Sequence, residues 1–191
     1  MLKKLALTLF SIGLLGTSSA AYAEFGGHVG AHLGIGNEGG GGQPVGNTSI
    51  GTLDLHLMPG FRLFGKSLMP GVLMNLRFLS QLAGSNRPGK ELSGSGSLFG
   101  LALVYEFDVF KILASYDFRA RHAHSNPDST FKGSGYTLLF GYKTLPDFYV
   151  DLEFNSTSYS SREVAGIVQT FDKPALPLAH WNLALGLSYS F

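Results

Sequence analysis

Eleven charged side chains fall at alternating positions of predicted β-strands, opposite large apolar residues. Successive side chains of a strand point to opposite faces, so the charges share one face. Six are basic and five are acidic. Buried charges are costly unless they are paired, so this near balance predicts an ion-pair network on that face. Its members are Asp54, Arg62, Arg77, Glu106, Lys111, Asp117, Arg119, Arg121, Lys143, Asp151 and Glu153.

Histidines on the same face raise the question of a metal site. His28 and His32 are four strand residues apart, roughly 13 Å, too far to share one ion. With a symmetric connection between the first two strands, His32 lies opposite Asp54, with His56 diagonal to it. We therefore predict no metal and no cofactor, and expect these histidines and His180 to be hydrogen-bonded within the network.

The stretch His122-Ala123-His124-Ser125-Asn126 is superficially similar to the His-x-Ser-Asn motif of PagL-type lipid A deacylases. The spacing from either histidine to Ser125 departs from that motif. The sixth predicted strand, where the partner acid would lie, has no glutamate. Glu153 belongs to the seventh predicted strand and lies on the face that carries the charged residues. A nucleophile, its base and the orienting acid must be mutually placed, so the sequence predicts that the protein is not an enzyme.

Length and composition suit one exported domain. Met1–Ala23 has two lysines, an apolar run and a small-x-small ending, which predicts a cleaved signal peptide before a domain of residues 24–191. Removing Lys3 and Lys4 from 14 basic residues leaves 12 against 13 acidic ones, which gives no argument for nucleic acid. The absence of cysteine excludes disulfides.

Eight segments alternate large apolar with small or polar residues. The last is the clearest, with Trp181, Leu183 and Leu185 at odd positions and Asn182 and Ala184 at even ones. The predicted strands are Phe25–Ile35, Ile50–Phe64, Gly71–Leu82, Leu98–Phe107, Val109–His122, Gly135–Leu145, Phe148–Tyr159 and Leu178–Phe191.

The connections between these strands alternate long and short from the first to the last. This pattern predicts an all-β, eight-stranded antiparallel up-and-down transmembrane β-barrel with short periplasmic turns and longer extracellular loops. A soluble lipocalin-like barrel shows the same alternation, but its apolar face points inward and its polar face points outward to water. The polar face is too small and too sparsely charged for a soluble exterior, however, and suits the lumen of an eight-stranded barrel. Aromatic residues also gather near strand ends on the apolar face, as a membrane-interface girdle requires.

In strand number, loop asymmetry and terminal Phe191, the chain resembles the small eight-stranded outer-membrane barrels, such as OmpX, OmpW and the membrane domain of OmpA. The resemblance implies the outer membrane of a Gram-negative-type bacterium, embedding in its lipid, and a C-terminal assembly signal at Tyr189 and Phe191 that the assembly machinery reads.

A filled polar lumen favours a structural or surface-interaction role, such as adhesion or binding, through the extracellular loops, with an unidentified partner. The alternative is a small gated, porin-like channel in which the ion pairs rearrange. The last loop is unusually apolar, which fits either an adhesive patch or strands that extend beyond the membrane and pack there. Its apolar residues are Val164, Ile167, Val168, Phe171 and Leu176.

Overall fold

The structure, a computed structural model, consists of β-strands joined by turns. It describes residues 23–39, 48–63, 67–82, 93–125, 128–170 and 179–191. Among these residues, no helix is long and apolar enough to cross a membrane. The strands are β1 (Glu24–Gly39), β2 (Thr48–Arg62), β3 (Leu68–Gln81), β4 (Ser93–Glu106), β5 (Phe110–Ser125), β6 (Asp128–Leu145), β7 (Phe148–Val164), β8 (Ile167–Thr170) and β9 (Ala179–Ser190).

Eight of these strands close into an antiparallel barrel. Neighbours in sequence pair from β1 through β7, and β9 pairs with both β7 and β1, which completes the ring. The short β8 pairs with the far end of β7 and extends that hairpin beyond the ring. The predicted fold class is therefore confirmed, and the register places His32 opposite Asp54, as the sequence predicts.

The two ends of the barrel differ in their connections. At the turn end lie the short β2–β3, β4–β5 and β6–β7 connections, together with Glu24 and Phe191. Pro146 and Asp147 form the β6–β7 turn, where Asp147 has a φ of 64°, a left-handed conformation that aspartate tolerates. At the opposite end, which we call the loop end, lie the β1–β2, β3–β4 and β5–β6 connections and the connection from β7 through β8 to β9. The predicted signal peptide falls almost entirely outside the described residues and remains a prediction.

Large apolar side chains cover the outside of the barrel. Leu33, Leu101 and Leu185 are each more than 60% exposed, which in water would leave an exceptionally large apolar surface uncovered. Aromatic side chains border this apolar belt at both ends. They include Phe25, Phe61, Tyr105, Phe107, Tyr142 and Phe148 at the turn end, and Phe99, Phe118, Tyr136 and Trp181 towards the loop end.

A β-bulge in β5 interrupts the alternation of faces. The register with β6 shifts between Asp117 and Ala120, so that Phe118 and Arg119 both lie on the outside. Because one extra residue reverses the faces of every residue after it, the rest of β5 is out of phase with its beginning. Arg119 and Arg121, predicted to face the lumen, instead lie on the outer surface, and that part of the prediction is wrong.

The lumen is not uniformly polar, in contrast to the prediction. On the β2–β6 side, towards the turn end, buried apolar side chains pack together inside the barrel and form what we call the apolar plug. Leu113 and Leu139, for example, are paired across β5 and β6 and are at most 1% exposed. The plug consists of Met58, Met69, Leu73, Ala102, Val104, Leu113 and Leu139.

Candidate functional site in the lumen

Arg77 and Asp54, opposite each other on β3 and β2, form the closest ion pair at the centre of the lumen. Arg77 Nε donates to Asp54 Oδ1 at 2.6 Å and Nη2 donates to Oδ2 at 3.2 Å. The third guanidinium nitrogen donates to Asn155 Oδ1 on β7 at 2.9 Å, and Asn182 Nδ2 donates to Asp54 Oδ2 at 2.9 Å. The pair thus has two-pronged geometry and additional amide partners, which a buried pair needs to offset its desolvation.

A second chain of contacts links the lysine of β5 to the carboxylates of β7. Lys111 Nζ lies 3.4 Å from Asp151 Oδ1 and also contacts Ser188 Oγ. His32 lies between two carboxylates, with Nε2 3.1 Å from Asp151 Oδ2 and Nδ1 3.3 Å from Glu153 Oε2. His56 Nε2 is 3.3 Å from the same Glu153 oxygen. All these side chains are fully buried or nearly so, and His32 and His56 are part of the network, as expected. The expectation is wrong for His180, because neither of its ring nitrogens has a hydrogen-bond partner among the described residues.

Asp117 differs from the other buried carboxylates because its hydrogen bonds come from hydroxyl groups. Ser115 Oγ donates to Asp117 Oδ1 at 3.0 Å and Thr137 Oγ1 donates to Oδ2 at 3.1 Å. Asn155 Nδ2 donates to Thr137 Oγ1 at 2.7 Å, which connects this group to Arg77. The charged members of the network were predicted from the sequence, but the uncharged residues that join them, Ser115, Thr137 and Asn155, were not.

These three residues lie on the same strand faces as the charged residues, so the alternation of side chains would have identified them as well.

The remaining predicted charges lie near the turn end. Arg62 Nη1 donates to Glu106 Oε2 at 2.7 Å, and Arg62 Nε and Nη2 each lie 3.3 Å from the carbonyl oxygen of Phe191, to which they donate. Lys143 Nζ lies 5.9 Å from the centre of the buried Tyr149 ring. Ionic and aromatic contacts therefore occupy the turn end of the lumen.

Tyr189 and Phe191, the predicted assembly signal, lie at the turn end. Their rings are stacked, with centroids 6.4 Å apart and planes inclined by 21°. A Cβ atom on Gly27 would approach the Phe191 ring to 2.4 Å, so this close contact depends on glycine. Recognition of this ending by assembly machinery stays a prediction.

On the outer surface at the loop end, Arg119, Arg121 and Lys132 form a basic group. Lys132 Nζ donates to Glu163 Oε2 on β7 at 2.9 Å. This hydrogen bond and the charge of Lys132 lower the pKa of the Glu163 carboxyl below its ordinary value. The β5 bulge, which sequence periodicity does not reveal, places the two arginines here.

The same bulge turns His122 and His124 into the lumen. They lie beside Glu38 of β1 and His180 of β9, and all four side chains are at least 94% buried. We refer to these four residues as the rim cluster. Sequence reasoning missed the rim cluster because the fifth predicted strand ended at His122 and its side chains were taken to alternate between the two faces without a break.

The apolar last loop is partly an extension of the sheet. β7 continues to Val164, turns through Ala165 and Gly166, and pairs with β8. Ile167 and Val168 remain 66% and 57% exposed, so they are not packed against one another in a core. Phe171 and Leu176 lie outside the described residues.

No protein-family model matches the sequence, and no curated protein matches it significantly. The solved structures that resemble it include Neisserial surface protein A (NspA), with 15% identity, a TM-score of 0.50, and coverage of 87% of this chain and 97% of that one. Others are Ail, the attachment invasion locus protein of Yersinia pestis (11% identity, TM-score 0.48, 88% and 99% covered), and OprG from Pseudomonas aeruginosa (9%, 0.47, 88% and 98%).

At these identities the likeness concerns the fold alone. Together with the closed ring and the apolar exterior, it defines the class: a small eight-stranded β-barrel of the outer-membrane type. The class was predicted from the alternating strands and is confirmed.

Proposed function

We propose that this barrel resides in the bacterial outer membrane, with its loop end outside the cell and its turn end in the periplasm. Short turns lie on the periplasmic side in barrels of this type, and longer loops are extracellular. The apolar belt supports the membrane location, because lipid is the environment in which exposed side chains such as Leu33 and Leu185 are stable.

Within the membrane, we propose that the barrel is a scaffold for surface interaction rather than a channel. The observation that carries this proposal is the filled lumen. The apolar plug fills the β2–β6 side of the lumen towards the turn end. The network from Arg77 to Lys111 crosses the centre of the lumen with buried side chains from β2, β3, β5 and β7. A solute would have to disrupt both, including ion pairs that are costly to separate.

Conductance of the refolded protein in planar bilayers tests this proposal. We expect no discrete channel events, whereas a porin studied in the same bilayers gives stable openings. Reproducible opening steps from the purified wild-type barrel would refute the closed lumen and favour the alternative, a small gated pore.

The surface that would interact is proposed to be the β7–β8 hairpin, because exposed apolar side chains on a rigid support are typical of binding sites. Bacteria that display the barrel with Ile167→Ser and Val168→Ser should attach to host cells and to extracellular matrix several-fold less than bacteria that display the wild-type barrel. The matched control is Val109→Ser, an exposed apolar residue at the turn end. Equal attachment by both variants would contradict the proposed surface.

We further propose that the barrel has no lipid-modifying activity. His122 and His124 are buried in the lumen, where a lipid acyl ester would not reach them. Mass spectrometry of lipid A after overexpression should therefore show unchanged acylation, and loss of an acyl chain would overturn this conclusion.

A further inference from the structure

The rim cluster brings metal-binding side chains from three separate strands together at the loop end. Glu38 comes from β1, His122 and His124 from β5, and His180 from β9. β5 is not a neighbour of β1 or β9 in the ring, so the cluster spans the lumen. His122 and His124 occupy alternate positions of β5 and therefore share one face, and the β5 bulge turns that face into the lumen.

The donor atoms of the cluster converge. One ligand atom from each of Glu38, His122 and His124 can be chosen so that all lie within 4.8 Å of one another. His124 Nε2 and Glu38 Oε2 are 3.2 Å apart. The centre of the His122 ring is 4.6 Å from that of His124 and 6.2 Å from that of His180. In a tetrahedral zinc site the donors are about 3.3 Å apart, so modest side-chain rotations would complete the geometry.

Several of these atoms are buried without a hydrogen-bond partner among the described residues. They are His122 Nε2 and both ring nitrogens of His180, while His124 Nε2 and Glu38 Oε2 have no partner other than each other. Buried polar atoms are normally satisfied, so a group of unsatisfied nitrogen and carboxylate atoms facing one another indicates a ligand. Imidazole nitrogens with one carboxylate are a donor set that suits zinc.

We propose that Glu38, His122 and His124 bind one divalent transition-metal cation of the zinc class, with His180 as the fourth ligand. The cation bridges β1, β5 and β9 and ties the loop end of the barrel together. Neither the fold nor the proposed surface-interaction role requires this site.

Tyr159 on β7 is placed to orient the first ligand. Its hydroxyl oxygen lies 3.2 Å from His122 Nδ1, and it is buried. When Nδ1–H donates to this oxygen, the lone pair of the ring is on Nε2, which is the nitrogen without a hydrogen-bond partner among the described residues. Such outer contacts fix the tautomer of metal-binding histidines.

Glycines on the neighbouring β4 make space for the imidazoles. A Cβ atom on Gly94 would lie 3.2 Å from His122 Nε2, and one on Gly96 would lie 3.5 Å from Nδ1. A larger residue at position 94 would therefore crowd the nitrogen that binds the metal.

A second group with metal-binding side chains, at His32, His56 and Glu153, is a weaker candidate. There, His32 Nε2 is hydrogen-bonded to Asp151 Oδ2, and His56 Nε2 lies 2.9 Å from Asn75 Nδ2. The Nε2 atoms of both central histidines therefore have hydrogen-bond partners, whereas His122 Nε2 and both ring nitrogens of His180 have none among the described residues, which makes the rim cluster the stronger candidate.

Titration of the refolded, metal-stripped barrel with Zn²⁺ tests the proposal. The protein must carry no histidine tag, and calorimetry gives the stoichiometry while Co²⁺ absorption reports tetrahedral coordination. We expect one Zn²⁺ per chain. The variant His122→Ala/His124→Ala should lose this binding, and Tyr159→Phe should weaken it about 10–100-fold because only the orienting contact is removed.

The matched control is His56→Ala, which removes a buried imidazole from the central group and should leave the affinity for Zn²⁺ unchanged. Circular dichroism checks that each variant folds, and if the double variant does not fold, His124→Asn takes its place. The proposal is overturned if the wild type binds no Zn²⁺ at micromolar concentrations, if the rim variant binds as the wild type does, or if His56→Ala abolishes binding.

Discussion

Replacing Arg77 by methionine is expected to lower the free energy of unfolding by about 3–5 kcal/mol, the usual cost of removing one partner of a buried ion pair. Arg77 donates two hydrogen bonds to Asp54 and one to Asn155, and the side chain is 3% exposed. Methionine fills similar space but leaves the Asp54 carboxylate without its cation. Urea unfolding in lipid vesicles, followed by tryptophan fluorescence from Trp181, measures the loss.

Two further variants make this experiment specific. Arg119→Met removes an arginine from the outer surface and should change stability by no more than about 0.5 kcal/mol. The double variant Asp54→Asn/Arg77→Met should recover much of the loss, because the buried charge that caused it is also gone. A single Arg77→Met variant as stable as the wild type would show that the central network contributes little to stability.

The second large effect is expected on the lipid-facing side. Leu185→Arg should destabilise the barrel by about 2–4 kcal/mol, the cost of a basic side chain near the bilayer midplane. Leu185 is 64% exposed and lies at the middle of the apolar stretch of β9, between Leu33 of β1 and Leu152 of β7. Unfolding in vesicles again provides the measurement.

Depth in the membrane is tested by the same substitution nearer the loop end. Ser158→Arg on β7 is also outward-facing but lies beyond the apolar belt, opposite Ala179. It should cost about 0–1 kcal/mol, as basic residues do near the interface. Equal costs at the two positions would mean that lipid does not cover this surface as proposed.

The closed lumen and the proposed metal site are compatible with one another. The apolar plug and the central network fill the barrel towards the turn end and the centre, while the rim cluster lies at the loop end. A cation there would join β5 to β1 and β9 across the lumen. It would therefore stabilise the end of the barrel that carries the surface-exposed connections.

The sequence alone determined the strand number, the antiparallel ring and the two faces of most strands. It could do so because strand side chains alternate strictly and lipid tolerates almost no charge, so Leu183, Leu185 and Leu187 had to share one face. The same alternation also places Leu113 and Leu139 on the inner face. The lumen was nevertheless predicted to be wholly polar, because that prediction rested on the charged residues alone.

Tertiary structure alone decided where the alternation breaks and which residues meet. The bulge between Asp117 and Ala120 depends on pairing with β6, and it turned Arg119 outward and His122 inward. Contacts across the ring, such as His32 with Asp151 or Glu38 with His124, join residues that are distant in sequence. They depend on how the ring closes and staggers, which no single strand encodes.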